Sequence, residues 1–393
     1  MDSNFDINNA IYQHELLQHI KSLTESESRL SFHEIVSNSE GASPISVKNI
    51  LDSFSIEYTN EDSIPSSLHN NNILSDPHPA DFDWRFNEAT INKYLYDLIN
   101  FSEKKIALLG TKTIFTGLVD KKIDTTIFNR SASLLNDFRL NGYLDGLVEC
   151  DLFNKQPSFN NHFDLVIADP PWYLEYYEAF IIRGSEFLNT GGILHLSVLK
   201  KLTRPFAAND RQEIIIYAQN AGFELVEIIP NYFTYETPNF ERNTLKVQGL
   251  YCENWRKSDL FIFKKINFIK NEIVIANKSN DASWIEFKWK NKKIKIKQDN
   301  IQEDSFFYFE SADPSNIVFT NVSRRSPYRE RIDVWTSDNL AFRVYKLKIL
   351  VSYFELLILG KEYNHIILVL KSQFLLSEQE AINLTNLIKI IFE

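Results

Sequence analysis

The stretch "FDLVIADPPWYLEYYEAF", residues 163–180, decides the fold. Its first six residues form a short apolar run, which is typical of a fully buried strand in a parallel sheet. The run ends at a carboxylate, two prolines and a large aromatic side chain: Asp169, Pro170, Pro171 and Trp172. In open parallel sheets, ligands bind at the carboxyl ends of the strands. The sequence therefore predicts a functional site at the end of this strand.

Alternating strand and helix signals extend outward from this stretch over residues 104–265. The strand signals are "KKIALLG", "IDTTIFN", "LVECDLF", "FDLVIADPPW", "ILHLSVL", "FELVEIIPNYFTY" and "SDLFIFKK". Strands separated by about 10 to 15 helical residues imply right-handed crossovers. We therefore predict an α/β fold with a largely parallel, doubly wound sheet.

The N-terminal region, residues 1–70, is predicted to be a helical, winged-helix-like unit. Ser31 with a glutamate three residues later is a capping box, and Ser43 before Pro44 caps another helix. A helical cap or a dimerisation arm is the alternative. The presumed recognition helix carries one basic residue, Lys48, which is poor for reading DNA.

The remaining regions differ in character from the central domain, which we assign to residues 79–265. Residues 61–78 are polar and rich in turn formers, as in a linker. Residues 266–393 are predicted to form an α+β domain. Within it, "WIEFKWKNKKIKIK" alternates with period two and predicts a hairpin, whereas "SEQEAINLTNLIKIIF" predicts a terminal amphipathic helix.

Composition indicates a globular protein of the cytoplasm. The 393 residues are 44% hydrophobic and 24% charged. We expect no membrane partner, because no apolar run reaches about 18 residues, and the N-terminus lacks the pattern of a secretory signal. Two cysteines, Cys150 and Cys252, favour a reducing compartment. The eight histidines show no metal-ligand spacing, so no metal is predicted.

The net charge of -10 argues against a surface that grips nucleic acid along much of its length. Local basic patches leave nucleic acid open as a partner. The lysine-rich hairpin, residues 284–297, is such a patch, although a solvated strand face is the preferred interpretation. The cluster "SRRSPYRER" contains Arg324 and Arg325, which we predict to bind an anionic substrate group. Oligomeric state is left open.

Asp169 and its neighbours have the chemistry of an amine clamp. The prolines fix the backbone and lack N–H donors. The Asp169 carboxylate and the Pro170 carbonyl can accept hydrogen bonds from an amino group, and Trp172 or Tyr173 can offer a face to a flat ring. An amine held in this way points its lone pair at an electrophile. Positioning and electrostatics suffice for such a transfer.

The segment "VIADPPW" resembles the catalytic motif of amino-methyltransferases that act on adenine N6 or cytosine N4. That family uses S-adenosylmethionine and a Rossmann-like sheet. The resemblance implies a Rossmann-like methyltransferase domain over residues 79–265, with Asp169, Pro170, Pro171 and Trp172 as catalytic residues. It also implies S-adenosylmethionine as cofactor and a small-molecule or nucleotide amine as substrate.

A longer resemblance, over roughly residues 1–265, is to the bis(aminopropyl)spermidine synthase family of branched-chain polyamine synthases. The matching segments are "KKIALLGTKTIFTGL", "DPPWYLEYYEAFIIRGSEFL" and "GGILHLS". That family has a Gly-Asp-Asp-Asp stretch after the first strand. Here Gly110 is kept, but Thr111, Lys112 and Thr113 replace the acids that would hold a polycation. The resemblance therefore supports the architecture more than a polyamine substrate.

By the same resemblance, five residues would line the cofactor site. Gly110 and Thr111 follow the first strand, Asn129 ends the second, and Asp151 and Leu152 follow the third. Related enzymes place an acid at the position of Asn129 and several glycines near Gly110. An aminopropyltransferase and a non-catalytic interaction or regulatory protein are therefore the alternatives to an amino-methyltransferase.

The segment "NYFTYETPNFERNTL", residues 231–245, is predicted to be a long aromatic-rich loop. It would either cover the substrate or pack between domains. Tyr235 within it and Tyr173 beside the clamp are the candidate substrate-contacting aromatics.

Overall fold

The computed structural model describes residues 2–26, 30–59, 73–101, 103–267, 283–298, 306–320 and 326–392. The chain divides into two compact units. The first unit comprises Met1–Leu74, Trp84–Thr237 and Cys252–Lys278, and the second comprises Ser75–Asp83, Pro238–Tyr251 and Ser279–Glu393. The division into three regions, residues 1–70, 79–265 and 266–393, stays a prediction from the sequence.

The first unit begins with three helices, α1 (Asp2–Ser26), α2 (Phe32–Asn38) and α3 (Pro44–Ser53). The capping box of α2 is confirmed, because the Ser31 hydroxyl accepts from Glu34 N and the Glu34 carboxylate accepts from Ser31 N. Ser43 caps α3 as predicted. Within the described part of this region, strand-like pairing is limited to an isolated bridge from Ser31 to Thr59, and the winged-helix character stays a prediction.

An eight-stranded sheet forms the centre of the first unit. Its strands are β1 (Arg85–Phe86), β2 (Ile106–Leu109), β3 (Thr125–Asn129), β4 (Leu147–Glu149), β5 (Phe163–Ala168), β6 (Leu188–Leu199), β7 (Phe223–Glu236) and β8 (Lys257–Lys265). Their order is β1-β7-β8-β6-β5-β2-β3-β4. The strands from β6 to β4 in this order are parallel, whereas β8 is antiparallel to β6 and β7, and β1 is antiparallel to β7. The predicted α/β class is confirmed.

The strand order reverses between β2 and β5, because the chain adds β3 and β4 on one side and β6 on the other. The helices of this region are α4 (Glu88–Asp97), α5 (Phe115–Asp120), α6 (Ala132–Leu140), α7 (Leu174–Phe187) and α8 (Ala207–Asn220). The rule that such crossovers are right-handed would place α5 and α6 on the face opposite to α7 and α8. All four residues of β2 are buried, as expected of a central strand.

The prediction of a long loop over residues 231–245 is wrong. Strand β7 continues to Glu236, and helix α9 (Asn239–Val247) follows after two residues. The aromatic residues of this segment are strand and core residues: Phe233 pairs with Ser258 of β8, and Tyr235 pairs with Phe86 of β1. Pairing on both sides of β7 holds the segment extended.

The second unit contains a five-stranded antiparallel sheet in the order β11-β13-β12-β10-β9. Its strands are β9 (Trp284–Trp289), β10 (Lys292–Lys297), β11 (Tyr308–Ser311), β12 (Val334–Thr336) and β13 (Ala341–Tyr345). Its helices, besides α9, are α10 (Leu347–Ile358), α11 (Tyr363–Phe374) and α12 (Glu378–Phe392). The predicted hairpin and terminal helix are confirmed.

The solvated-face interpretation of the lysine-rich hairpin is wrong for its central residues. Lys293 and Lys295 are buried, as are Ile294 and Ile296, because β10 lies inside the sheet and is covered on both faces. Lys295 pairs with Asp81 and Glu286. Within the described ranges, no helix combines the length and apolarity needed to cross a membrane.

Candidate active site

The candidate site lies where the strand order reverses. Leu109 at the end of β2 pairs with Ala168 at the end of β5, and Asp169 N donates to Leu109 O at 2.9 Å. Gly110 has φ +79°, and a Cβ there would lie 2.5 Å from the Asp169 carbonyl oxygen. The glycine therefore supplies both a left-handed backbone and the close contact that joins the two strand ends. The reversal point of an open sheet is the general position for ligands.

The Asp169 carboxylate is the centre of a hydroxyl network. Tyr235 on β7 donates its hydroxyl to Asp169 Oδ1 at 2.7 Å, and Ser197 Oγ on β6 lies 2.7 Å from the same tyrosine hydroxyl. Ser258 Oγ on β8 lies 2.8 Å from Ser197 Oγ. Hydroxyl groups from β6, β7 and β8 thus hold the carboxylate in place. Part of the Asp169 surface stays accessible to solvent.

Burial raises the pKa of Asp169 to about 6. The Tyr235 and Ser197 hydroxyls and the positive charges of Lys112 and Arg256 oppose this rise, because each stabilises the ionised form. Protein atoms therefore surround the carboxylate densely despite its partial exposure. A carboxyl with this pKa is mostly ionised at neutral pH and can still exchange a proton there, as a general base must.

A guanidinium lies close to two indole rings beside this network. Arg256 Cζ is 3.8 Å from the ring centroid of Trp172 and 4.3 Å from that of Trp84. Trp172 also meets Tyr235 edge-on at 5.8 Å between centroids. One face of Trp172 is therefore covered by a cation of the chain itself. A stacking role for Trp172 stays a prediction for the other face.

The turn after Asp169 leads directly into α7. The Pro171 carbonyl accepts from Tyr173 N at 2.7 Å, so this carbonyl is engaged within the turn. Pro170 is buried, and its carbonyl as an amine acceptor stays a prediction. The Arg204 guanidinium lies 5.7 Å from the ring centroid of Tyr173.

The five predicted cofactor residues lie at or just after the carboxyl ends of parallel strands, so they share one edge of the sheet. Thr111 is buried and donates its hydroxyl to Ile167 O at 3.3 Å. Asn129 and Asp151 follow adjacent strands. Their side-chain oxygens accept from the backbone two residues on, at 2.8 Å for Asn129 and 3.1 Å for Asp151.

These side chains fit a nucleoside in their chemistry. An ionised carboxylate such as that of Asp151 offers about four acceptor sites, and the amide nitrogen of Asn129 is a donor. Cys150, the residue before Asp151, donates its backbone N–H to Asn129 O at 3.0 Å. Backbone pairing therefore holds Asn129 and Asp151 close to each other. Leu152 differs, because its side chain is only 6% exposed and packs in the main core.

The structure brings the Tyr235 hydroxyl to Asp169. Tyr173 lies at the start of α7, which follows Asp169 in the chain. The structure gives no position for Arg324 and Arg325, which lie outside the described residues. Sequence reasoning did not identify Ser197, Trp84, Trp255 or Arg256 as site residues. No sequence signal marked them, and the strand directions explain why Trp84, Trp255 and Arg256 reach the site. Strands β1 and β8 run antiparallel to their neighbours, so the residues just before them reach the same edge as Asp169.

Comparisons with known proteins give low similarities. No protein-family model matches the chain. An uncharacterized protein of Methanocaldococcus jannaschii is 26% identical over 168 residues, and the match spans 41% of this chain and 42% of that protein, less than half of either.

Two solved structures illustrate the structural similarities. A branched-chain polyamine synthase mutein of Thermus thermophilus, in complex with N4-aminopropylspermidine and 5'-methylthioadenosine, has 11% identity and a TM-score of 0.49 over 68% of this chain and 96% of its own. The CcbJ methyltransferase of Streptomyces caelestis has 11% identity and a TM-score of 0.33 over 46% and 90%. At these levels, the functional assignment must come from the chemistry of the site itself.

Proposed function

We propose that this protein is an S-adenosylmethionine-dependent transferase that methylates an amino group held at Asp169. The observation that carries the proposal is the Asp169 carboxylate, fixed by the Tyr235 hydroxyl at the reversal point of the sheet, with a pKa raised by burial to about 6. A structural carboxylate in the core would pair fully with a cation. This one keeps an accessible surface and a proton affinity suited to exchange near neutral pH.

Asp169 would orient the amine and receive its proton. An ionised carboxylate offers about four acceptor sites, and the Tyr235 hydroxyl uses one of them. The amine donates to the carboxylate and to the Pro170 carbonyl, which directs its lone pair away from both. Methyl transfer forms a carbon–nitrogen bond, breaks a carbon–sulfur bond and releases one proton from the nitrogen. The raised pKa of Asp169 favours this proton transfer compared with an ordinary aspartate.

The cofactor would be held along the neighbouring strand ends. Bound S-adenosylmethionine supplies an electrophilic methyl group on a positively charged sulfur. The Asp151 carboxylate and the Asn129 amide would bind polar groups of its nucleoside. The turn at Gly110 and Thr111 brings backbone close to Asp169, so a cofactor held at this turn would lie beside an amine held at Asp169.

Aminopropyl transfer to a polyamine is the less favoured reaction. Lys112 and Arg256 both place positive charge close enough to Asp169 to lower its pKa. Thr111, Lys112 and Thr113, which follow β2, also offer no carboxylate that could hold a polycation. Turnover with decarboxylated S-adenosylmethionine and spermidine, and none with S-adenosylmethionine, would reverse this preference.

The test separates cofactor binding from amine orientation. We expect calorimetric titration to show binding of S-adenosylmethionine to the wild-type chain and to Asp169→Ala. Labelled methyl transfer to a panel of amines should occur with the wild type and fall by at least about 100-fold in Asp169→Ala. Asp145→Ala, which alters an exposed residue between α6 and β4, is the matched control and should keep full activity.

Two outcomes would contradict the proposal. Full activity of Asp169→Ala would remove the assigned role of the carboxylate. Absence of cofactor binding at millimolar concentration would instead favour a non-catalytic interaction protein.

A further inference from the structure

The hydroxyl groups of Ser197, Tyr235 and Ser258 form a closed cluster next to the Asp169 carboxylate. Ser197 Oγ lies 2.7 Å from the Tyr235 hydroxyl and 2.8 Å from Ser258 Oγ, and Ser258 Oγ lies 3.2 Å from the Tyr235 hydroxyl. The cluster reaches Asp169 through Tyr235, whose hydroxyl is 2.7 Å from Oδ1. All three residues are at most 1% exposed. We call Ser197, Tyr235 and Ser258 the hydroxyl triad.

The number of protons in the hydroxyl triad limits how these hydrogen bonds can run. Each hydroxyl has one proton to donate. Among the residues that the structure describes, the side-chain hydrogen bonds of the triad run only between its own members and to Asp169. A buried hydroxyl proton without an acceptor costs free energy. Each of the three protons must therefore be placed in one of these contacts.

Two arrangements give every proton of the triad an acceptor. In the first, Tyr235 donates to the ionised Asp169 carboxylate, and the two serines donate towards Tyr235 in a chain. In the second, the three hydroxyls donate to one another in a ring, and Asp169 receives no proton from Tyr235. The ring bends all three hydrogen bonds, because its oxygens lie at the corners of a triangle, and bent hydrogen bonds are weak. A hydrogen bond to a charged acceptor is stronger than one between neutral groups, so ionised Asp169 favours the chain.

We propose that Ser197 and Ser258 are positioning residues that direct the Tyr235 hydroxyl towards Oδ1 of Asp169, so that the proton released by the substrate amine binds to Oδ2. The role in the reaction rests on the function proposed above, whereas the direction of donation within the triad does not. After methyl transfer the nitrogen is positively charged. One of its N–H bonds breaks, the electron pair returns to the nitrogen, and the proton forms an O–H bond with Oδ2. Oδ2 receives it because Oδ1 already uses a lone pair for the Tyr235 hydroxyl.

Donation in this direction favours the ionised form of Asp169. Hydrogen bonds that a carboxylate accepts lower its pKa, whereas hydrogen bonds that the neutral carboxyl donates raise it. Neighbouring hydrogen bonds in a chain strengthen one another by about 10 to 30% each. Ser258 contacts the other two hydroxyls and acts on Asp169 through them. Its removal should therefore weaken the hydrogen bond from Tyr235, and the pKa of Asp169 should rise above its value of about 6.

The direction of the pKa change identifies the direction of donation. Asp169 is titrated by NMR in the full chain with isotope-labelled aspartate, and its signal is assigned by its absence from Asp169→Asn. We expect Ser258→Ala to raise the pKa by about half a unit, and Ser258→Ala combined with Ser197→Ala to raise it by about one unit. Ser258→Thr keeps the hydroxyl and should titrate like the wild type. Ser185→Ala removes another fully buried hydroxyl, which donates to Ala221 O near the far end of α7, and is the matched control.

The same variants connect the triad to the reaction. The other ionisable groups that act on Asp169 or respond to it are Lys112, Arg256 and Tyr177, and the substitutions leave all three in place. A pKa raised by about half a unit reduces the ionised fraction of Asp169 about threefold at about pH 5 and hardly at all at about pH 8. Labelled methyl transfer by Ser258→Ala should fall by the same factors. A serine needed only for packing would not produce this dependence on pH.

Two results of the titration would overturn the inference. An unchanged pKa of Asp169 in the single and the double serine variants would show that the triad does not act on the carboxylate. A lowered pKa would show that the triad stabilises the protonated carboxyl, as the ring does.

Failure of the proposed reaction has a different signature. If the pKa rises in the variants but the wild type methylates no amine, the direction of donation stands and the methyl transfer does not. If methyl transfer occurs and its pH profile stays the same in the serine variants, the transfer stands and the positioning role does not.

Discussion

Substituting Asp169 by asparagine should stabilise the protein at neutral pH while abolishing its activity. In the folded chain the pKa of Asp169 is about 6, against an ordinary value of 3.8, because burial disfavours the ionised form. A pKa raised in the folded state adds stability that is fully present below about pH 4 and is lost as the pH rises through about 6. The difference of about two pH units corresponds to about 3 kcal/mol of unfolding free energy at most.

Asparagine has nearly the same shape and cannot ionise, so its burial carries no such penalty. The Tyr235 hydroxyl can still donate to the amide oxygen, as it does to Asp169 Oδ1 at 2.7 Å. We therefore expect Asp169→Asn and the wild type to have similar stability at pH 4. Above pH 7 the variant should be more stable by about 2 to 3 kcal/mol. This gain reflects the free energy that the fold gives up to keep a charged carboxylate at the site.

Urea titration at pH 4, 5, 6, 7 and 8 measures this effect, with the transitions of the two units analysed separately. Asp145→Asn, at an exposed position, is the control and should follow the wild type at every pH. A stability difference that does not change with pH would show that the charge of Asp169 is not responsible. A variant less stable than the wild type at pH 8 would refute the reasoning altogether.

Three further substitutions test other parts of the structure. Tyr235→Phe removes a donor to Asp169, so the pKa of that carboxyl should rise by about one more unit; in the same urea series, the loss of stability should move to higher pH, and an unchanged profile would exclude the hydrogen bond. Gly110→Ala forces a Cβ to within 2.5 Å of the Asp169 carbonyl oxygen at φ +79°; thermal denaturation should show a loss of at least about 1 to 3 kcal/mol, and a wild-type midpoint would contradict the geometry. Burial opposes ionisation of Glu380, but hydrogen bonds from backbone N–H groups and from Lys346 lower its pKa to about 2. Ionised Glu380 therefore adds to the free energy of unfolding above about pH 4.5, and this stabilisation is lost towards pH 2. Glu380→Gln should make the stability of the second unit depend less on pH in this range, as measured by acid unfolding in circular dichroism. An acid unfolding curve like that of the wild type would show that Glu380 has no such role.

The fold of the first unit could be predicted because its central strands have a simple physical signature. A strand covered on both faces must be apolar throughout, and β2 and β5 are such runs between helical segments. The capping residues Ser31 and Ser43 act within a few residues of chain, so local sequence is sufficient for them. The burial of Lys295 in β10 was misjudged because one of its partners, Asp81, lies far away in the sequence.

The candidate site was predictable only in its local half. Asp169 and Gly110 are marked by position at strand ends, and backbone geometry explains them. The groups that set the properties of Asp169 come from antiparallel strands far away in sequence. Tyr235 lies near the end of β7, and Arg256 directly precedes β8. No periodicity shows that such residues converge, since that depends on the order in which the strands pair.

Lys112 and Arg256 have the same electrostatic effect on Asp169. Each places positive charge close enough to lower the pKa of a carboxyl whose pKa is raised by burial. The balance of these opposed contributions leaves the pKa of Asp169 at about 6. A general base for an amine must be ionised before the amine binds and must still be able to hold the proton that it receives. Burial alone would favour the protonated carboxyl, and cationic charge alone would favour a weakly basic carboxylate. Their combination gives a carboxylate that meets both conditions near neutral pH.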